Sequence, residues 1–131
     1  MRVHVYTTLR NEAYLLPFFL RHYATVADHI FVLDDGSTDG SLAIIEACPI
    51  ASVLPYPFET GLDDRVLQDA LHQAIATHSS QVADWVLCPD ADELLFHPEL
   101  RSVLADHHER GVRCIGSTAW RRPSPGTGSP R

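Results

Sequence analysis

Asp90-Ala91-Asp92-Glu93 follows directly on the apolar run Trp85-Val86-Leu87-Cys88. Three carboxylates thus crowd the point where a buried strand runs out into solvent. In extended geometry Asp90 and Asp92 point to the same side. Acids this closely spaced repel one another, and a cation between them relieves the repulsion. Oxygen-only ligands suit a hard divalent ion, Mn²⁺ or Mg²⁺, which often also holds substrate phosphates. An isolated D-x-D is more often a solvated turn, so the weight of this one depends on its company.

That company is two further strand ends. Thr7-Thr8 closes the apolar segment that opens the chain, and Asp34-Asp35 closes His29-Ile30-Phe31-Val32-Leu33. An aspartate at such an end is free to accept hydrogen bonds from a ribose hydroxyl or a base edge. The loop behind it, Gly36-Ser37-Thr38-Asp39-Gly40-Ser41, leads into a helix, where Ser37 or Thr38 makes local backbone bonds and Asp39 favours the helix start.

The elements that position these groups alternate. Residues 3–9 are rich in β-branched and aromatic types and read as a strand. Residues 13–23 carry a helical apolar stripe, with Pro17 tolerated in the first turn. Residues 29–33 are continuously apolar, as in a strand buried on both faces. A short helix over 42–48 is stopped by Pro49, and a strand follows over 50–54. Val66, Leu67, Ala70, Leu71, Ala74 and Ile75 repeat at helical spacing behind a cap at Asp63 or Asp64, and the helix runs to about His78. A fourth strand spans 84–88, a last helix 98–109 closes at Gly111, and a fifth strand begins at 112–115. Strands alternating with helices predict an α/β fold with a mostly parallel sheet flanked by helices. In such sheets ligands bind at the carboxyl ends of the strands.

Composition narrows the function. The chain has 131 residues and a formal net charge of −7, and its ten basic residues are all arginine. Without lysine there is no Schiff-base chemistry and no Walker-type phosphate lysine. The acidity argues against nucleic acid as a partner. Cys48, Cys88 and Cys114 are widely spaced and lie in or beside apolar segments, which predicts buried thiols in a reducing compartment. The start enters a strand at once, without a secretory signal, and the longest apolar run is too short to span a bilayer. No transmembrane segment and a cytoplasmic location are therefore expected. Residues 121–131 hold no core former and three prolines, so a disordered Pro/Gly/Ser/Arg tail is expected over 119–131, leaving one domain over 1–118.

One motif misleads. Asp35-x-Ser37-x-Asp39-Gly40 with Glu46 has the spacing of an EF-hand calcium loop. An EF-hand needs a helix entering and a helix leaving, whereas this loop follows a strand and Pro49 blocks the exit.

Taken together, three blocks give the chain a resemblance to family 2-type glycosyltransferases of the GT-A fold. They are Thr7-Thr8-Leu9-Arg10-Asn11-Glu12, Phe31-Val32-Leu33-Asp34-Asp35-Gly36-Ser37-Thr38-Asp39-Gly40 and Ala83-Asp84-Trp85-Val86-Leu87-Cys88-Pro89-Asp90-Ala91-Asp92-Glu93. The last resembles the D-x-D-E form of one subgroup, as does the segment around Gln68. The resemblance covers about residues 3–118. It implies a nucleotide-diphosphate-sugar donor, commonly UDP-linked, and a divalent metal, Mn²⁺ or Mg²⁺. Thr8 and Asp34 or Asp35 would face base and ribose with Arg10 nearby. Asp92 would ligate the metal, and Asp90 would contact the ribose or a metal-bound water. Asp63, Asp64 and Arg65 would lie beside the donor or serve only as a helix cap. Family members continue well past the D-x-D with further strands, an acceptor site and a catalytic carboxylate. Here 39 residues follow Asp92 and no acid follows Glu109. The expectation is a donor-binding half of the fold, incomplete at the C-terminus, with no acceptor-activating base and no acceptor identified. The alternative is an inactive nucleotide- and metal-binding module or a truncated fragment.

Overall fold

Val3, His4, Val5, Tyr6, Thr7 and Leu9 are all buried, as a central parallel strand requires when both sheet faces are covered. In the computed structural model, which describes residues 1–54, 64–95 and 98–111, they form β1 (Val3–Leu9). The chain continues through α1 (Leu16–Tyr23), β2 (His29–Asp34), α2 (Ser41–Glu46), β3 (Ala51–Leu54), α3 (Asp64–His78), β4 (Trp85–Leu87) and α4 (Leu100–Glu109). The sheet is wholly parallel, in the order β3-β2-β1-β4. The expected fifth strand over 112–115 and the tail over 119–131 lie outside the described residues.

The period-2 pattern of the strands divides the core in two. Val3, Val5, Leu9, Ile30 and Val32 face Leu16, Phe19, Leu20 and Tyr23 of α1, Ile45 of α2 and Leu104 of α4. On the opposite face Tyr6, Phe31 and Leu33 meet Ala70, Leu71, Ala74 and Ile75 of α3. The result is a helix–sheet–helix sandwich. No described helix is long and apolar enough to cross a membrane.

Helix starts differ from the sequence pattern for identifiable reasons. Helix α1 begins at Leu16, not at residue 13, with Pro17 in its first turn. A helix begun earlier would need an N–H from Pro17 for its i−4 bond, and proline has none. Residues 12–16 instead form a turn on the Glu12 carbonyl, which accepts from Leu15 N and Leu16 N at 3.0 Å each. The thiols also depart from expectation: Cys48 is only half-buried and Cys88 is exposed. Cys88 lies one residue beyond β4, where the ladder has ended. Cys114 falls outside the described residues.

The amino ends of the strands are sewn together by aspartates. Asp28 accepts from Val3 N at 2.8 Å and Asp84 from Arg2 N at 2.7 Å. These bonds, more than any other cause, hold both carboxyls below the ordinary aspartate range. Arg101 of α4 donates to the carbonyls of Val26 at 2.6 Å and Met1 at 2.9 Å, locking α4 over the same end.

Beside this end the α3 face carries histidines. His4 Nδ1 shares a hydrogen bond of 2.6 Å with Ser79 Oγ, which also bonds Tyr6 Oη. His29 Nε2 pairs with Ser52 Oγ at 2.8 Å, and Phe31 packs against His4, His29 and His78. Burial first, then His29, Arg2 and His78, push the His4 pKa down, against an opposing pull from Asp28. Burial and His78 do the same to His29. A histidine held neutral by folding stabilises fully above its unfolded pKa of about 6.5, and that stability is lost as pH falls below it. The melting temperature is therefore expected to drop between pH 7.5 and pH 5.5, before the carboxylates titrate. His29→Gln should flatten that drop, which scanning calorimetry at the two pH values would measure.

Candidate functional site

Strand order decides which loops can meet. Since β1 lies between β2 and β4, the segments leaving these three strands emerge side by side at one edge of the sheet. From β1 the connections run to β2 and β3 on one side and to β4 on the other. The gap between β1 and β4 is thus the topological switch point, where open parallel sheets form a crevice beyond the strand ends. Leu9 is level with Asp34 across β1–β2, and Val5 is level with Leu87 across β1–β4. Thr8 lies three residues beyond Val5, and Asp90 three beyond Leu87. Thr8, Asp34, Asp35 and Asp90 therefore gather at the same edge.

The β1 and β2 loops are interlocked through Asn11. It holds a left-handed backbone, φ 52°, a conformation that asparagine tolerates far better than most side chains. Its Oδ1 accepts from Thr38 N at 2.7 Å and Asp39 N at 3.2 Å, and its own N donates to Ser37 Oγ at 2.9 Å. Asp39 reaches back, accepting from Ala13 N at 3.2 Å and from Ser41 N at 2.9 Å. These bonds, with Ser41 Oγ–H first, keep its carboxyl below the ordinary aspartate range. Asp39 of the EF-hand look-alike is therefore used to fasten a strand-to-helix loop, and β2 precedes that loop as a strand.

The two aspartates at the end of β2 divide their work. Asp34 Oδ2 accepts from Ser37 N at 2.9 Å and Oδ1 from the Ser37 hydroxyl, which fixes the loop. Asp35 is fastened by its backbone, N to the Leu9 carbonyl at 2.8 Å. Its half-buried carboxylate has no hydrogen-bond partner among the described residues. Asp35 is accordingly the more available acceptor, while Asp34 keeps only the lone pairs that Ser37 leaves. Thr8 is half-buried beside them, and Arg10 is exposed on the β1 loop.

At the other side of the crevice Asp90-Ala91-Asp92-Glu93 closes on itself. Glu93 N donates to the Asp90 carbonyl at 2.9 Å, and Asp90 N donates to Glu93 Oε1 at 3.0 Å. Glu93 is thus a brace for the turn. Asp92 is exposed, and its carboxylate accepts no hydrogen bond from the described residues. Glu12 completes the group from the β1 loop. Its Oε2 is buried without a hydrogen-bond partner among the described residues, which is costly unless a donor or cation reaches it. Glu12 foremost, with Asp92 contributing least, raises the pKa of the Tyr14 hydroxyl, so both carboxylate charges are felt at one phenol. Residue type and spacing alone do not pick out Asn11 and Glu12 as site residues. An asparagine directly after a strand, where the chain must turn, is the signal that finds the first.

No three His, Cys, Asp or Glu side chains converge into a ready ligand set among the described residues. A hard divalent ion does not need one, because Mg²⁺-like ions are often held by one or two carboxylates with substrate phosphates and waters completing the shell. Asp92 and the carboxylates near it fit that mode. The side chains of Asp63, Asp64 and Arg65 lie outside the described residues.

Comparison with known proteins agrees with this geometry. The family model described as glycosyl transferase family 2 matches residues 5–130. Among solved structures, the chain superposes on glucosyl-3-phosphoglycerate synthase from Mycobacterium tuberculosis, crystallised with Mn²⁺, uridine diphosphate and glucosyl-3-phosphoglycerate. The TM-score is 0.57 at 23% sequence identity, over 81% of this chain. At that identity the likeness speaks for the fold. The chain spans 39% of the length of that structure.

Proposed function

The chain belongs to glycosyl transferase family 2, and from that premise we propose that it binds a nucleotide-diphosphate sugar, UDP-linked, through a divalent cation at Asp92. The observation that carries this reading is the set of under-used carboxylates, Glu12, Asp35 and Asp92, around the crevice at the β1/β4 switch point. Asp35 and Thr8 take the base and ribose, with Asp34 behind them. Glu12 accepts from a ribose hydroxyl or a metal-bound water. Asp92 ligates Mn²⁺ or Mg²⁺, Asp90 meets the ribose or a water on the metal, and Arg10 supplies a cation beside the diphosphate. When bound, the ion neutralises the diphosphate, which makes it a better leaving group. The Mn²⁺ and uridine diphosphate held by the M. tuberculosis enzyme support this choice of ligands.

The proposal extends to donor binding and leaving-group stabilisation. Acceptor activation needs a general base within reach of a hydroxyl. Of the acids after Asp92, Glu93 braces its own turn, and Asp106 pairs with Arg110 at 3.3 Å on α4. A module that holds the nucleotide sugar without transferring it is therefore the second reading. Titration calorimetry with UDP, with and without Mn²⁺, is the test. Binding strengthened by Mn²⁺ is expected, and no heat in either condition would overturn both readings. Release of UDP from a UDP-sugar in the presence of an acceptor separates the transferase from the module.

A further inference from the structure

We infer that Tyr23 of α1, assisted by His22, is the positioning residue that sets the Asp90–Glu93 turn and so determines where the Asp92 carboxylate stands. The inference rests on the reading of Asp92 as a metal ligand. Among the described residues strand β4 is paired from Trp85 to Leu87, and Pro89 has no N–H to extend the ladder. The sheet therefore releases the chain before the acidic turn begins. What holds the far side of that turn is a phenol. Tyr23 is fully buried; its hydroxyl donates to the Glu93 carbonyl at 2.9 Å and accepts from Leu95 N at 2.9 Å.

His22 adds a third bond, Nε2 to the Leu95 carbonyl at 2.7 Å. The Tyr23 ring cannot swing away. It packs on Phe19 with centroids 4.6 Å apart and edge-on to His22 at 4.8 Å, while Leu95 is buried in the same core. Burial also pushes the Tyr23 pKa up to about 12, so the hydroxyl keeps its proton at working pH. Since Glu93 in turn fixes Asp90 through two bonds, a continuous chain of hydrogen bonds runs from α1 to both sides of Asp92.

Partners that orient a metal ligand from behind typically change metal affinity by about 10- to 100-fold when removed. Tyr23→Phe keeps the ring and deletes only the hydroxyl, leaving a carbonyl and an amide unpaired. Three readouts on the full chain test the idea: UDP affinity with Mn²⁺, UDP affinity without Mn²⁺, and amide exchange at Leu95. We expect the Mn²⁺-dependent gain in affinity to fall about tenfold or more, Mn²⁺-free affinity to hold, and Leu95 to lose protection. His22→Ala, which leaves the core ring in place, should produce a smaller loss in the same direction and guards against a misfolded Tyr23 variant. Equal losses with and without Mn²⁺ would assign Tyr23 a merely structural role and overturn the inference, as would unchanged Leu95 protection. If the unaltered chain gains nothing from Mn²⁺, the metal reading fails, and Leu95 exchange still reports separately whether Tyr23 holds the turn.

Discussion

Asp92→Asn should abolish the Mn²⁺-dependent part of UDP binding, a loss on the order of a hundredfold or more, with no change in melting temperature. The first half follows from charge. An amide oxygen of the same size is a weak ligand for a hard cation, and Asp92 is the exposed carboxylate at this turn that the described residues leave without a hydrogen bond. Loss of a direct ligand should exceed the roughly 10- to 100-fold cost of losing a partner behind one. The second half follows from exposure, since surface changes away from packed contacts rarely move stability by more than about 0.5 kcal/mol. A further readout needs no ligand. Asp92 contributes to the raised pKa of the Tyr14 hydroxyl, behind the larger effect of Glu12. Asp92→Asn should lower that pKa, and Glu12→Gln should lower it further. A spectrophotometric phenol titration of each variant, against Tyr14→Phe as the blank, measures both.

Trp85→Ala should cost about 3–5 kcal/mol of folding stability, within the usual range for deleting a large buried aromatic. Against a total of roughly 5–15 kcal/mol for a small domain, that leaves little. Trp85 is 7% exposed and joins the main core from the first residue of β4. It is level with Val3, and its indole N–H donates to the Leu104 carbonyl at 3.0 Å. One side chain thus couples a three-residue strand to α4, and that strand carries the acidic turn. Trp85→Phe keeps most of the volume and loses the indole hydrogen bond, for which about 1 kcal/mol is usual. Urea denaturation should show lower midpoints in that order with an unchanged slope. A midpoint for Trp85→Ala equal to that of the unaltered chain would mean that β4 is not held by this packing.

The fold was legible because it rests on local pattern. The unbroken apolar run of residues 29–33 announced a strand buried on both faces, and β2 is that strand, with Ile30, Phe31, Val32 and Leu33 all buried. Gly111, at φ 78°, ends α4 as a left-handed closing residue does. Boundaries were less legible, since the start of α1 depended on a hydrogen bond that Pro17 cannot make. The burial of Cys88 was misread because the apolar neighbours that suggested it belong to a strand that ends one residue earlier.

Sequence alone determined the order of strands and helices, the family, and which carboxylates stand at strand ends, because these depend on spacing along the chain. It did not determine how those carboxylates divide their work. Tertiary structure decided that Asp34 is engaged by Ser37, and that Glu93 braces the turn, while the described residues leave the carboxylates of Asp35 and Asp92 without a hydrogen bond. It also decided that Glu12 keeps a buried oxygen unpaired among the described residues and that a tyrosine on α1 reaches the acidic turn. The physical reason is that a carboxylate's availability depends on which donors reach it in space. Ser37 engages Asp34 and Asp90 N engages Glu93, while Tyr23 holds the Glu93 carbonyl, and the loops that carry these groups meet only once β1 is seated between β2 and β4 and α1 is packed on the sheet.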